Sequence, residues 1–358
     1  ADRLTKRRGP LDRSGPLVFD PASETDDDRS LAVLRHAVVG VLAGRCGGGV
    51  HGHDARQPAG GPLEDLRQPR GCPYARPVSE AIPRKGQLRP DARAPVSRIL
   101  PTAEGEPLAR WFWVPEWDLP EGAVHEALTL PFPACQLVVE ADAVRVYGPV
   151  SRAWRRDLTG RGWAVGALLR PGAAHALVGD VGALRDRDTE AKGATRLHAD
   201  VTLVMDGRAM DDAGDVGERP AADERHAAAA RLLQDWLVAE VGAAVAADPD
   251  AGPARRLVDL ADSDPSLLRV DDLAARLGAS VRTVQRLAST HVGMSPGEII
   301  RRRRLQEAAE RVREEPGADL STIAADLGYA DHAHLTREFG RMLGFTPTGY
   351  RAGGTESH

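Results

Sequence analysis

Two polar stretches of the chain carry side chains suited to hydrogen bonding with the edges of nucleic-acid bases. The first runs Ser280-Val-Arg282-Thr283-Val-Gln285-Arg286 and the second Asp331-His332-Ala333-His-Leu-Thr336-Arg337. A guanidinium presents paired donors that match O6 and N7 of guanine, and a glutamine amide matches N6 and N7 of adenine. Serine and threonine hydroxyls reach bases or phosphates. Any solvated helix face uses the same residue types, so spacing has to decide. Val284 and Leu287 in the first stretch, and Leu335 and Phe339 in the second, recur at helical spacing and define an apolar inner side. That leaves Ser280, Val281, Arg282, Thr283, Gln285 and Arg286 on one outer face, and Asp331, His332, Ala333, Thr336 and Arg337 on another.

The elements that must position them are duplicated. Leu273-Ala-Ala-Arg-Leu-Gly278 matches Ile323-Ala-Ala-Asp-Leu-Gly328 at an offset of 50, and Gly293-Met-Ser-Pro296 matches Gly344-Phe-Thr-Pro347 at an offset of 51. The second copy therefore holds one extra residue between these motifs, expected in its turn. Each copy reads as a short helix, a glycine-containing turn and a second helix. The two helices of such a unit cross steeply, so a small residue is needed where they approach, and Ala274 and Ala324 supply it. Gly278 and Gly328 stand where the chain reverses and a positive φ is tolerated.

Charge is arranged to suit a polyanion locally. Between Ser280 and Arg313 there are eight arginines against three glutamates, inside a chain of formal net charge −5. Uniform coating of nucleic acid is excluded by that total, but a basic face is not. An amphipathic helix containing Arg301–Val312 links the two copies. Its inward side is expected to hold Ile299, Ile300, Leu305, Ala308, Ala309 and Val312, so part of the Arg301–Arg304 run must pair within the protein.

Residues 255–351 resemble the DNA-binding domain of the AraC/XylS family of transcriptional regulators. The resemblance is carried by Ile323-Ala324, Leu327-Gly328-Tyr329, Asp331, His334-Leu335, Arg337, Phe339, Gly344, Thr346-Pro347 and Tyr350-Arg351. It implies seven helices in two helix-turn-helix units, whose recognition helices enter successive major-groove faces about 34 Å apart. It also implies that Arg282, Gln285 and Arg286 read one segment and His332, Thr336 and Arg337 the next. Loss of Arg286 or Arg337 should then weaken specific binding by roughly 1–3 kcal/mol. Ala288 departs from the pattern, standing where relatives often carry an aromatic that corresponds to Phe339.

Upstream, short apolar runs separated by Pro, Gly and Asp read as strands: Trp111–Val114, Cys135–Val139, Ala143–Tyr147 and Trp163–Leu169. A β-rich regulatory domain at 85–205, a barrel or sandwich, is expected. The motifs Gln87–Pro90, Leu130–Pro133, Val146–Pro149 and Leu169–Gly172 resemble, less specifically, the N-terminal domains of a subgroup of the same regulators. Residues 206–254 read as an acidic linker and an amphipathic helix at 223–247, with a break at Asp248–Pro253. That helix packs on a neighbouring domain or forms a dimer contact. The fold class is thus α+β and multidomain, with an all-α domain of two helix-turn-helix motifs at 255–351 and a tail at 352–358. Residues 1–84, rich in Gly, Pro and charge with only Ser30–Leu42 able to form a short helix, are expected to be disordered or a non-native extension. Because the first methionine is Met205, translation is expected to start near Val78 on a non-ATG codon; intact-mass detection of residues 1–77 in native protein would overturn this.

Other chemistry finds little support. Cys46, Cys72 and Cys135 are too widely spaced for a zinc knuckle or a disulfide framework, which counts against an Ada-like alkyl-DNA repair fusion. His125-Glu126, His175 and His198 are scattered, and no metal site, cofactor or catalysis is expected. Arg170 either shapes a turn or recognises a carboxylate. No apolar run reaches the ~18 residues of a membrane span. The expectation is a sequence-specific, non-enzymatic transcriptional regulator, bacterial and cytoplasmic, acting as activator or repressor. Its partners are double-stranded DNA and, as further candidates, RNA polymerase, a small-molecule effector and a second copy of the chain. The alternative is an architectural DNA-binding protein without effector.

Overall fold

The computed structural model describes residues 94–130, 132–207 and 220–352 of the 358. The expectations for residues 1–84, the Gln87–Pro90 motif, Cys46, Cys72, the acidic stretch 208–219 and the tail beyond 352 lie outside them.

The apolar runs form strands β1 (Val96–Ile99), β2 (Ala109–Asp118), β3 (Val124–Thr129), β4 (Gln136–Val139), β5 (Val144–Tyr147), β6 (Trp154–Thr159), β7 (Arg161–Trp163) and β8 (Val165–Leu169), joined later by β9 (Asp188–Glu190). The main sheet has the order β1-β2-β8-β4-β5-β9, with β7 also on β2, while β3 and β6 pair separately. Because successive side chains point to opposite faces, the register sorts the residues into rows. Phe112, Ala167, Leu137 and Val146 lie side by side across four strands and enter one core. The neighbouring row, Trp111, Leu168, Gln136 and Tyr147, faces the other way.

Helices rather than a second sheet cover the first face, so the β-rich domain is not the barrel or sandwich expected. They are α1 (Pro171–Val178), α2 (Thr195–Met205) and α3 (Ala222–Ala247). Pro171 starts α1, where its missing N–H costs nothing. In α2, Leu197, Val201 and Met205 recur every four residues and are all buried. Helix α3 buries Ala229, Ala230, Leu233, Leu237 and Val241 in the same core. Its apolar face therefore packs within the chain.

Seven helices follow: α4 (Ala251–Ser263), α5 (Val270–Leu277), α6 (Val281–Val292), α7 (Pro296–Glu314), α8 (Leu320–Asp326), α9 (His332–Leu343) and α10 (Pro347–Arg351). Helix α4 starts earlier than the break at Asp248–Pro253 suggests, because Gly252 and Pro253 fit in its first turn. The pairs α5–α6 and α8–α9 are the two expected units, and Gly278 and Gly328 sit between their helices at φ +62° and +71°. The extra residue of the second copy lies in its turn, since α6 begins three residues after Gly278 and α9 four after Gly328. Ser280, Ser295, Asp319, Asp331 and Thr346 cap α6, α7, α8, α9 and α10. Each unit has its own core, one around Leu273, Val284, Leu287 and Ala288, the other around Ile323, Leu335, Phe339, Phe345 and Tyr350.

Candidate nucleic-acid interface and interior cavity

Helix α6 is rooted by Val284, Leu287, Ala288 and Val292, all buried. Its outer residues divide into two kinds. Ser280 accepts from Thr283 N at 3.1 Å, and their hydroxyls meet at 2.9 Å, so both complete the helix cap. Arg282 and Gln285 are exposed and make no side-chain hydrogen bond or ion pair among the described residues. Arg286 differs. Its guanidinium forms a two-pronged pair with Asp250, at 2.5 and 3.0 Å, from the short connection between α3 and α4. The same contact holds the Asp250 carboxyl below its ordinary pKa.

The last turn of α6 is also held. His291 is buried and meets Asp248 Oδ2 at 2.9 Å, and its ring lies 4.5 Å from that of His175 in α1. Burial pushes the Asp248 carboxyl upward, but hydrogen bonds from His291 and from the Asp250 backbone outweigh it and leave the pKa lowered. Gly293, which ends the helix in the left-handed conformation, backs onto Val181; a Cβ there would stand 2.8 Å from its carbonyl oxygen.

Helix α9 presents the second set. Asp331 accepts from His334 N at 2.6 Å and caps the helix, while His332 and Arg337 are exposed and Ala333 and Thr336 are half-buried. Arg337 makes no side-chain hydrogen bond or ion pair among the described residues. On the inner side Phe339 packs against Phe345 and Tyr350, with ring centroids 5.9 and 5.8 Å away.

The basic run on α7 is mostly inside. Arg302, Arg303 and Arg304 are buried and donate to backbone carbonyls: Arg302 to Val150, Arg303 to Pro265 and Leu267, and Arg304 to Leu327. Burial pushes the Arg302 pKa down to about 10, still charged at neutral pH. Of the four, only Arg301 is exposed, so the local positive excess overstates what can meet phosphate.

Ion pairs tie the sheet half to α4. Arg170 meets Asp259 at 2.6 Å and Glu106 at 3.2 Å, Arg255 also meets Glu106, and Arg110 pairs with Asp262. The carboxylates that Arg170 recognises are therefore the chain's own. Nearer the second unit, Leu128 and Leu130 join its core, and Ala153 N donates to Met342 O at 2.7 Å.

Between the main sheet and the β3–β6 pair lies a cavity of about 210 Å³. Trp111, Trp113, Trp117, Trp154 and Phe132 line it, with Gln136, Glu140, Tyr147 and Arg156 at one polar side. Tyr147 donates to Glu140 at 2.7 Å, and Arg156 pairs with the same carboxylate. Burial, then the Glu140 contact, raises the Tyr147 pKa. The indole Nε1 of Trp113 is buried with no hydrogen-bond partner among the described residues. Sequence reasoning missed this cavity, although the alternation of tryptophans at 111, 113 and 117 is its trace. Cys135 is buried beneath the sheet, where burial pushes its thiol up to about 12, which makes it a poor nucleophile.

A family model described as a helix-turn-helix domain matches residues 273–353, and a model for a domain of unknown function, DUF6597, matches residues 97–190. The probable transcription factor PqrA of Proteus vulgaris is 34% identical over 88 residues, 25% of this chain and 71% of that protein. Regulatory protein SoxS of Salmonella typhimurium is 40% identical over 86 residues, covering 24% and 78%. The regulator VirS of Mycobacterium tuberculosis is 36% identical over 103 residues, covering 29% of this chain and only 28% of its own. Among solved structures, ToxT from Vibrio cholerae superposes with a TM-score of 0.36 and 11% identity over 68% of this chain and 99% of that one. With two glycine-turned helix pairs on their own cores, and PqrA and SoxS each matched over more than two thirds of their length, the chain belongs to the AraC family of helix-turn-helix transcriptional regulators.

Proposed function

We propose that α6 and α9 each read a major-groove segment, through Arg282, Gln285 and Arg286 in the first and His332, Thr336 and Arg337 in the second. The observation that carries this reading is the division of both helices. Their inner faces are buried, so each is firmly seated, while Arg282, Gln285 and Arg337 stand outside with no side-chain hydrogen bond or ion pair among the described residues. Ser280 and Thr283 serve the α6 cap and at most add a phosphate contact. Arg286 reads DNA only after leaving Asp250. Selection of DNA from a random pool by the full chain tests this: two blocks of base preference about one helical turn apart support it. Binding without any consensus, falling steeply with salt, would favour the architectural alternative.

The cavity supports regulation by a small molecule, largely aromatic or aliphatic, with one hydrogen-bonding group for the Glu140–Tyr147–Arg156 side. Leu128 and Leu130 border the cavity and also belong to the core of the second unit, so occupancy would bias the seat of α9. Screening small aromatic and aliphatic amphiphiles by quenching of tryptophan fluorescence tests it, because four tryptophans line the space. No catalytic role is assigned to any residue. The setting we infer is cytoplasmic, and no helix among the described residues is long and apolar enough to cross a membrane.

A further inference from the structure

Three elements that are remote in sequence bring metal-ligating side chains together beside the first recognition helix. His175 comes from α1, Asp248 from the α3–α4 connection and His291 from the last turn of α6, and one ligand atom from each lies within 4.8 Å of the others. The Nδ1 of His175 is 2.6 Å from the carbonyl oxygen of Gly179. A carbonyl can only accept, so Nδ1 carries the proton and Nε2 keeps a lone pair. Metal-binding histidines are commonly oriented by such a bond from the opposite ring nitrogen. His291 is 2% exposed, and its Nε2 stands 2.9 Å from Asp248 Oδ2, where a cation would take the place of the shared proton. Asp248 adds a negative charge that offsets part of a cation's desolvation.

We propose that His175, Asp248 and His291 form a site for a divalent transition-metal ion of the zinc class. Two imidazoles and a carboxylate, with water completing a tetrahedron, make a donor set suited to zinc, with bonds of about 2.0–2.2 Å. Ligand atoms in such a tetrahedron stand about 3.3 Å apart, inside the present 4.8 Å limit, so the three side chains draw together on binding. The bound ion would fasten α1 and the α3–α4 connection to α6. That consequence rests on the DNA-reading role of α6, whereas the site itself does not.

The test uses the full chain, stripped of metal with a chelator, and reads metal binding apart from DNA binding. Cobalt is added as a spectroscopic probe, then displaced with zinc, and melting temperature is followed with and without zinc. The expected result is a visible cobalt band and a zinc-dependent rise in melting temperature. In His175→Ala and in Asp248→Asn the affinity should drop at least about tenfold, with the metal-free melting temperature of His175→Ala close to that of the native chain. Equal zinc-induced shifts in the native chain and both variants would overturn the proposal, because the ion would then sit elsewhere, for example among His51, His53, Cys46 and Cys72. Absence of any cobalt band or zinc shift in the folded native chain would overturn it as well. DNA affinity of stripped and zinc-loaded protein is measured separately, so failure of α6 to read DNA leaves the metal result standing.

Discussion

Replacing Asp250 with asparagine should tighten DNA binding. In the structure the carboxylate occupies both prongs of the Arg286 guanidinium, the same fork that a guanine would take. The two cannot hold it together, so on the proposed reading of DNA by Arg286 the pair must first break. Its strength sets the size of the effect. The side chain of Arg286 is 52% exposed and that of Asp250 31%, so solvent screens the contact and it competes only weakly, worth about two- to fivefold in affinity. The substitution Asp250→Asn puts a neutral amide there, which cannot match a bidentate ion pair. The gain should be largest at low ionic strength and shrink as salt approaches about 0.1 M, where the screening length is about 10 Å. Fluorescence anisotropy with a selected DNA site, in native, Asp250→Asn, Arg286→Ala and doubly substituted chains, measures the coupling directly. If Asp250→Asn tightens binding equally when Arg286 is alanine, the benefit is removal of a negative charge near phosphate. The reasoning about a competed guanidinium would then be wrong.

Other outcomes follow from the same geometry. Arg337→Ala should weaken binding to the selected site by roughly 1–3 kcal/mol and relax preference at one base pair, read by anisotropy against a panel of single-base variants. Phe339→Ala, at a fully buried position, should cost about 3–5 kcal/mol of stability in urea denaturation. Glu298 caps α7 through Ser295 and pairs with Arg185, and the Arg185 contact is the chief cause that lowers its pKa from 4.5 to about 2. A carboxyl depressed on folding contributes stability that is present above pH 4.5 and lost as pH falls towards 2. Glu298→Gln should therefore cost about 1–2 kcal/mol at neutral pH and lose less than the native chain on acidification, as denaturation at about pH 6 and about pH 3 would show.

The helical half was largely legible because its signals are local. Gly278 and Gly328 announce reversals, and Val284, Leu287, Leu335 and Phe339 mark buried sides within a few residues of the polar positions they support. The strands around Trp111, Cys135, Val144 and Val165 were legible for the same reason. What escaped depends on distant pairings. Nothing in the sequence near Arg286 points to Asp250, 36 residues earlier, nor does His175 advertise His291. The cavity exists only because the register sets Trp111 beside Leu168 and Gln136 on the face away from the helices. Helix α2 was missed despite the regular spacing of Leu197, Val201 and Met205, because the strand-like texture before it was extended too far. The sequence placed part of the Arg301–Arg304 run inside, but not its partners: Arg302–Arg304 are buried by contacts to carbonyls more than 20 residues away.

Those three consecutive arginines have a further consequence. Successive helical residues point about 100° apart, so the guanidiniums fan around α7 and reach three different neighbours: the sheet half at Val150, the approach to α5 at Leu267 and the end of α8 at Leu327. Had leucines occupied these places, parting the sheet half from α7 would lay bare a greasy strip that invites aggregation. An arginine at position 302 would instead exchange its bond to the Val150 carbonyl for bonds to water. The contact with the sheet half is thus polar on this side of α7, while Arg303 and Arg304 link α7 to both helix-turn-helix units.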